Sequence, residues 1–188
     1  MSWYLALLTG FGLLRLAELI VSTRHQALLL REGGAKISEQ TYPLMVAVHA
    51  GLFIGSACEV WWFKRPFLPT LGWVMLLLLA LCIAGRLWVW QSLGEQWNTQ
   101  IMTTARPIIV TGPYRYVRHP NYTIVIIEMC ALPLVHSAYL TAFLCSALNA
   151  LVLWRRLRLE ESVLLIRLDY RLMMAGKPRF LPTLSRRR

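Results

Sequence analysis

The sequence predicts an all-α integral membrane protein of about five transmembrane helices, the last two folded as a C-terminal helical hairpin. Three observations predict it. Of the 188 residues, 57% are hydrophobic, where ordinary soluble domains reach roughly 45–50% even with glycine counted. The apolar residues are gathered into runs of helix-spanning length. The charges sum to +11, and few of them fall inside those runs. A chain of this length is expected to form one membrane domain, residues 1–188.

The first span is expected at 3–22, since ~20 helical residues cross a ~30 Å hydrocarbon core. Arg15 and Glu18 stand at i, i+3 within it and can pair on one face. The opening "MSWYLALLTG" has no basic leader and no small-residue cleavage site, so it is expected to be a retained span rather than a signal peptide. The second span is expected at 42–63, interrupted by His49 and closed by Glu59. A short "KRP" turn leads to the third, at 67–90, where "LWVW" after Arg86 suits an interfacial aromatic belt. The stretch from Tyr122 to Trp154 is too long for one span and short for two. Pro133 and the following "LVHSAY" supply a break, which predicts a tight hairpin with arms at 122–135 and 138–154, each reaching only part-way. Beyond it, Leu159 to Met174 mixes aliphatic and charged residues and suggests a helix lying against the bundle or the interface.

Arg24, Arg31 and Lys36 follow the first span. Arg106, Arg115 and Arg118 precede the hairpin, and the tail runs from "RRLRLEE" to "SRRR". With an odd number of spans all three groups share one side, opposed only by Lys64 and Arg65. The positive-inside tendency makes that side cytoplasmic, as in a bacterial inner membrane. The basic balance therefore reflects topology and attraction to anionic membrane lipids, and does not point to nucleic acid. The four cysteines lie in apolar segments without CxxC spacing and next to no histidine cluster, so neither a metal site nor disulfides are expected.

The run "GPYRYVRHPNY" at 112–122 is a turn. Gly112 and Pro113 set it up, and Pro120 is suited to the first turn of the next helix. Arg115, Arg118 and His119 offer donors to a carboxylate or phosphate. Tyr114, Tyr116 and Tyr122 offer flat faces with a polar tip. On composition alone the same run serves equally as a cationic anchor at the headgroups.

The order of its residues resembles the signature of the isoprenylcysteine carboxyl methyltransferase family, membrane enzymes that use S-adenosylmethionine. That pattern is Gly-x-Tyr, then Arg-His-Pro-x-Tyr, a helical hairpin, and an Arg followed by Glu-Glu. Here "GPYRYVRHPNY", a 33-residue apolar stretch and "RRLRLEESVLL" follow in that order, and the resemblance covers roughly residues 90–182. It implies a cofactor pocket on the cytosolic side, built from 98–122 and 155–182. Tyr114, His119, Pro120, Asn121 and Tyr122 would line it, and Arg106, Pro107, Ile108 and Ile109 would add backbone contacts. Glu160 and Glu161 would supply the acidic pair, one of them facing the cofactor, and Arg156 would orient the acceptor. Arg156 and Glu160, four apart, should share a helical face and hold each other, an arrangement a structural salt bridge explains as well. After the acidic pair, "LLIRLDY" reaches Tyr170 sooner than the family does and without its glycine. The path of the tail is therefore left open.

The implied activity is S-adenosylmethionine-dependent O-methylation of a lipophilic small molecule or prenylated acceptor in the membrane. An acceptor carboxylate needs only orientation, whereas a hydroxyl needs a base. His49, mid-span, is the candidate base, although a neutral histidine bonded within the bundle is the alternative. Glu59 and Glu128 are further intramembrane ionisable groups. The N-terminal half ("RLAELIVSTRH", "GGAKISEQTYPLMVAVH") is similar to a bacterial branch that methylates alkylpyrone or alkylresorcinol hydroxyls. Phospholipid N-methyltransferases and NADPH-dependent sterol reductases share parts of the signature and stand as alternatives, as does a non-catalytic membrane subunit. A sulfonium methyl donor requires no metal.

Overall fold

The computed structural model describes residues 2–182, so the basic run at 185–188 lies outside the described residues. Six helices follow in order: α1 (Ser2–Arg31), α2 (Tyr42–Trp62), α3 (Pro69–Leu93), α4 (Pro120–Leu134), α5 (Tyr139–Leu164) and the short α6 (Leu168–Met174). Helices α1, α2, α3 and α5 are each long and apolar enough to cross a membrane. Their outer faces carry exposed Leu13, Ile54, Leu77 and Phe143, the reverse of a water-soluble bundle and the arrangement lipid requires. The protein is an all-α membrane protein.

α4 differs. Its 15 residues reach about 22 Å at 1.5 Å per residue, short of the hydrocarbon thickness. It survives because it packs between α3 and α5. The turn that ends it, Val135 to Ala138, is buried by protein rather than lipid. Within that turn His136 and Ala138 N–H donate to the Pro133 carbonyl, and Tyr4 on α1 donates its hydroxyl to the Leu132 carbonyl at 3.1 Å. Irregular backbone at membrane depth is tolerated only when its polar groups are satisfied in this way.

The second arm of the hairpin is not part-length. α5 runs on from Trp154 through "RRLRLEESVL" without interruption, because Arg, Leu and Glu are strong helix formers and no breaker intervenes. The segment from Leu159 is therefore the end of α5, and only Leu168–Met174 forms a separate helix. Arg167 makes the corner between them. Its guanidinium donates to the carbonyls of Thr104 and Arg106, at 2.5 and 3.0 Å, and to Asp169 at 2.6 Å.

Two-residue strands β1 (Ala35–Lys36) and β2 (Met102–Thr103) form an antiparallel ladder pairing Ala35 with Thr103 and Lys36 with Met102. Pairs this short leave no trace in sequence periodicity. They join the α1–α2 loop to the long α3–α4 connector, and Gly34 is needed there, since a Cβ would meet the Thr103 carbonyl oxygen at 2.5 Å. Arg106 crosses the same junction to Glu32 at 2.6 Å. The α1–α2 loop, the connector and the C-terminal segment thus gather at one end, with Lys64 and Arg65 at the other.

Glu59 and Glu128 have structural partners. The Glu59 carboxylate caps α5, accepting from Leu140 and Thr141 N–H at 3.1 and 2.7 Å and from the Thr141 hydroxyl at 2.8 Å, with Arg65 at 3.0 Å. Glu59→Ala leaves those donors unmet at a cost of about 1–3 kcal/mol. We expect the thermal midpoint in detergent to fall by roughly 4–8 °C; an unchanged midpoint would refute the cap.

Candidate functional site

The turn at 112–122 is built on backbone geometry. Gly112 has φ +58°, and a Cβ there would collide with Ser92 and press on Trp88 of α3, so the turn seats directly against that helix. Residues Gly112–Arg115 form one 3-10 turn with Pro113 buried, and Pro120 opens α4 with His119 at its cap position. α5 runs back alongside and presents Arg156, Glu160 and Glu161 to this turn.

Three residues of the signature meet there. The Tyr122 hydroxyl accepts from Arg156 Nε at 2.9 Å and donates to Glu160. Arg156 and Glu160 do share a face of α5, but they do not hold each other directly as the spacing suggested: Tyr122 stands between them as a bridge. Its ring stacks on that of His119 with centroids 5.3 Å apart. The remaining donors of Arg156 are spent on Glu39 at 3.1 Å, on Met45 Sδ and on the Thr99 carbonyl at 2.7 Å.

Glu161 is a second node. It accepts from His119 Nε2 at 3.3 Å, pairs with Arg118 at 3.0 Å and receives a two-toothed contact from Arg179 at 2.6 and 3.1 Å. The tail thereby finds its path. After α6 it doubles back as a strap, with Arg118 and His119 N–H donating to the Pro178 and Arg179 carbonyls at 2.9 and 3.0 Å. Thr123 holds the Phe180 carbonyl at 3.1 Å, and Lys177 Nζ reaches the Tyr114 carbonyl at 2.7 Å. Partial burial without a counter-charge lowers the Lys177 ammonium below its ordinary pKa.

Between these segments lies a cavity of about 1230 Å³, continuous from a polar end to an apolar trough between α1 and α2. Those two helices make few contacts along their length, which leaves the trough open toward the bilayer. At the polar end Tyr114, His119, Asn121, Tyr122, Arg156, Glu160 and Tyr170 border the space. Burial pushes the Tyr114 phenol well above its ordinary value, and burial beside Glu160 raises Tyr170 to about 12, so both stay protonated donors. Trp97 Nε1, Asn98 Nδ2 and Gln100 Oε1, buried on residues lining the same end, have no partner among the described residues.

The cavity also borders a buried ion cluster. Arg15 pairs with Glu18 at 2.5 Å and Glu128 at 2.7 Å. Arg86 pairs with Glu128 and, at 3.4 Å, with Glu18, and its Nη1 donates to Asn121 at 3.4 Å. His49 lines the trough, its Nδ1 2.8 Å from the Met45 carbonyl one turn earlier. A carbonyl can only accept, so Nδ1 carries the proton and Nε2 keeps its lone pair.

Of the residues singled out in the sequence, Ile108 and Ile109 reach the cavity while Arg106 and Pro107 do not line it. The Arg106 guanidinium is occupied by Glu32 and Glu95, which hold it far into its charged range, and the Pro107 carbonyl accepts from Gln96 at 3.2 Å. Pro120 serves as helix start. Glu160 borders the cavity; Glu161 does not. Sequence reasoning passed over Glu39, Arg179 and Phe180, which sit in irregular segments where no period or spacing marks them.

The chain is 32% identical over 152 residues to the uncharacterised protein YpbQ of Bacillus subtilis (strain 168), covering 80% of this chain and 89% of that one. It is 28% identical over 153 residues to an uncharacterised protein of Haemophilus influenzae, covering 80% and 88%. The family model for the isoprenylcysteine carboxyl methyltransferase (ICMT) family matches residues 73–166, the stretch from α3 through the acidic doublet of α5. The chain therefore belongs to the isoprenylcysteine carboxyl methyltransferase family, a family of membrane methyltransferases.

Proposed function

We propose that the protein is an S-adenosylmethionine-dependent O-methyltransferase whose lipophilic acceptor, a prenylated or long-chain lipid, enters from the bilayer. One observation carries the reading: the basic turn and the acidic doublet fold into a single pouch that opens without interruption into an apolar trough between α1 and α2. A water-soluble donor and a greasy acceptor can thus meet in one space while entering from different phases.

The residues present fit the donor. At neutral pH it carries one net positive charge, and Glu160 borders the cavity with no cation partner among the described residues. The unmet buried groups of Trp97, Asn98 and Gln100 offer both donors and acceptors for a polar ligand. Tyr114, His119 and Tyr122 give flat faces for a purine or a sulfonium. When bound, S-adenosylmethionine would supply a sulfonium methyl for transfer to the acceptor oxygen, the S–C electrons staying on sulfur.

The rest falls to the chain. Tyr122 fixes Arg156 and Glu160 relative to each other across the polar end, which keeps donor and acceptor subsites in register. α6 borders the pouch through Tyr170 and Met174 and helps keep water from it. His49 Nε2 is placed to receive the proton of a hydroxyl acceptor. The basic segments at the pouch end set it on the cytosolic side.

Purified protein in detergent should bind S-adenosylhomocysteine in the micromolar range and give no signal with NADPH. His119→Ala and Glu160→Gln should each weaken binding about tenfold, or 1.4 kcal/mol; unchanged affinity in both would remove the ligand from this pouch. Glu161→Gln should loosen the strap, and the Arg118 and His119 amides, whose acceptors lie on it, should then exchange hydrogen about tenfold faster. Unchanged protection would show that Arg179 does not hold the strap closed.

A further inference from the structure

Each arginine that borders the cavity has a carboxylate partner. Arg15 and Arg86 share Glu18 and Glu128, Arg118 at the donor end shares Glu161 with Arg179, and Arg167 has Asp169. Arg156, at the junction of polar end and trough, has Glu39 as its directly paired carboxylate at 3.1 Å, with Glu160 beyond the Tyr122 hydroxyl. Glu39 itself does not line the cavity; it stands behind Arg156 on the α1–α2 loop with its side chain 3% exposed. Thr41 donates to its Oε1 at 3.1 Å, and its Oε2 is buried with no partner among the described residues. A fully buried carboxylate with one oxygen unmet is expensive unless its charge has a use, and here the charge is spent on one guanidinium.

We infer that Glu39 sets the charge class of the acceptor: by cancelling Arg156 it makes the acceptor end take an uncharged hydroxyl-bearing lipid and refuse a carboxylate. The inference rests on the methyltransferase reading above. A carboxylate leaving water for this end would meet Arg156 already paired with Glu39, and burying an unpaired charge in a low-dielectric site is strongly unfavourable. A neutral hydroxyl pays far less desolvation. It finds the Nε2 lone pair of His49 to accept its hydrogen, and the Arg156–Tyr122–Glu160 chain stays intact. Glu39 touches neither donor nor acceptor; it is a positioning residue that acts through Arg156.

The test compares two probes of nearly equal chain, 4-pentadecylphenol and hexadecanoic acid, binding to the protein in neutral-lipid nanodiscs with S-adenosylhomocysteine present. The wild type should bind the phenol at least about tenfold more tightly than the acid. Glu39→Gln should raise affinity for the acid about tenfold, and Glu39→Asp should restore the wild-type preference, which a merely structural tie would not do. Binding of S-adenosylhomocysteine reports separately on folding and on the underlying reading: its absence from the wild type defeats the methyltransferase assignment. Its presence with an unchanged probe preference in Glu39→Gln overturns the role of Glu39. If Glu39→Gln loses the nucleoside as well, the wild-type comparison decides alone, and tighter binding of the acid overturns the inference.

Discussion

Charges inside a bilayer must be neutralised where they stand, and in this protein that constraint organises both the bundle and the pouch. Arg15, Glu18, Arg86 and Glu128 come from three different helices. None could remain charged in hydrocarbon alone, so the cluster forces α1, α3 and α4 into one arrangement. Arg86 also reaches Asn121, which lies within the signature turn. The packing of the membrane core and the placement of the turn are thus one problem with one solution.

The same logic separates two jobs at the membrane surface. Glu161 is surrounded by Arg118, His119 and Arg179 and serves to fasten the tail over the turn. Glu160, one residue earlier, faces a different direction on the helix, touches the Tyr122 hydroxyl and keeps its charge for the cavity. Adjacent residues on a helix point about 100° apart, so a doublet of identical side chains yields one structural and one cavity-facing carboxylate. Arg156 sits on the cavity side with Glu160, four residues earlier and on the same face.

The helical character, the break after Pro133 and the meeting of turn and doublet were legible in the sequence, because each rests on local signals: apolar run length, proline position and the order of a short motif. The length of α5 was misjudged because hydropathy stops at Trp154 while helix propensity does not. The Tyr122 bridge could not be read from i, i+4 spacing, since the third party comes from 34 residues away. Glu39 escaped notice for the same reason, being tied to Arg156 across 117 residues. Long-range pairing of charges is where sequence patterns fall silent, and most of the polar end is built from it.

The shortness of α4 bears on how the chain enters the bilayer. A helix of this length holding Glu128 is a poor candidate for lateral release from an insertion channel by itself. It lacks the hydrophobic length, and its carboxylate has no counter-ion until α1 and α3 are in place. Release of the α4–α5 hairpin as a pair, docking onto helices already embedded, would meet both needs. The three earlier spans then act as a template that must be finished before the pouch can exist.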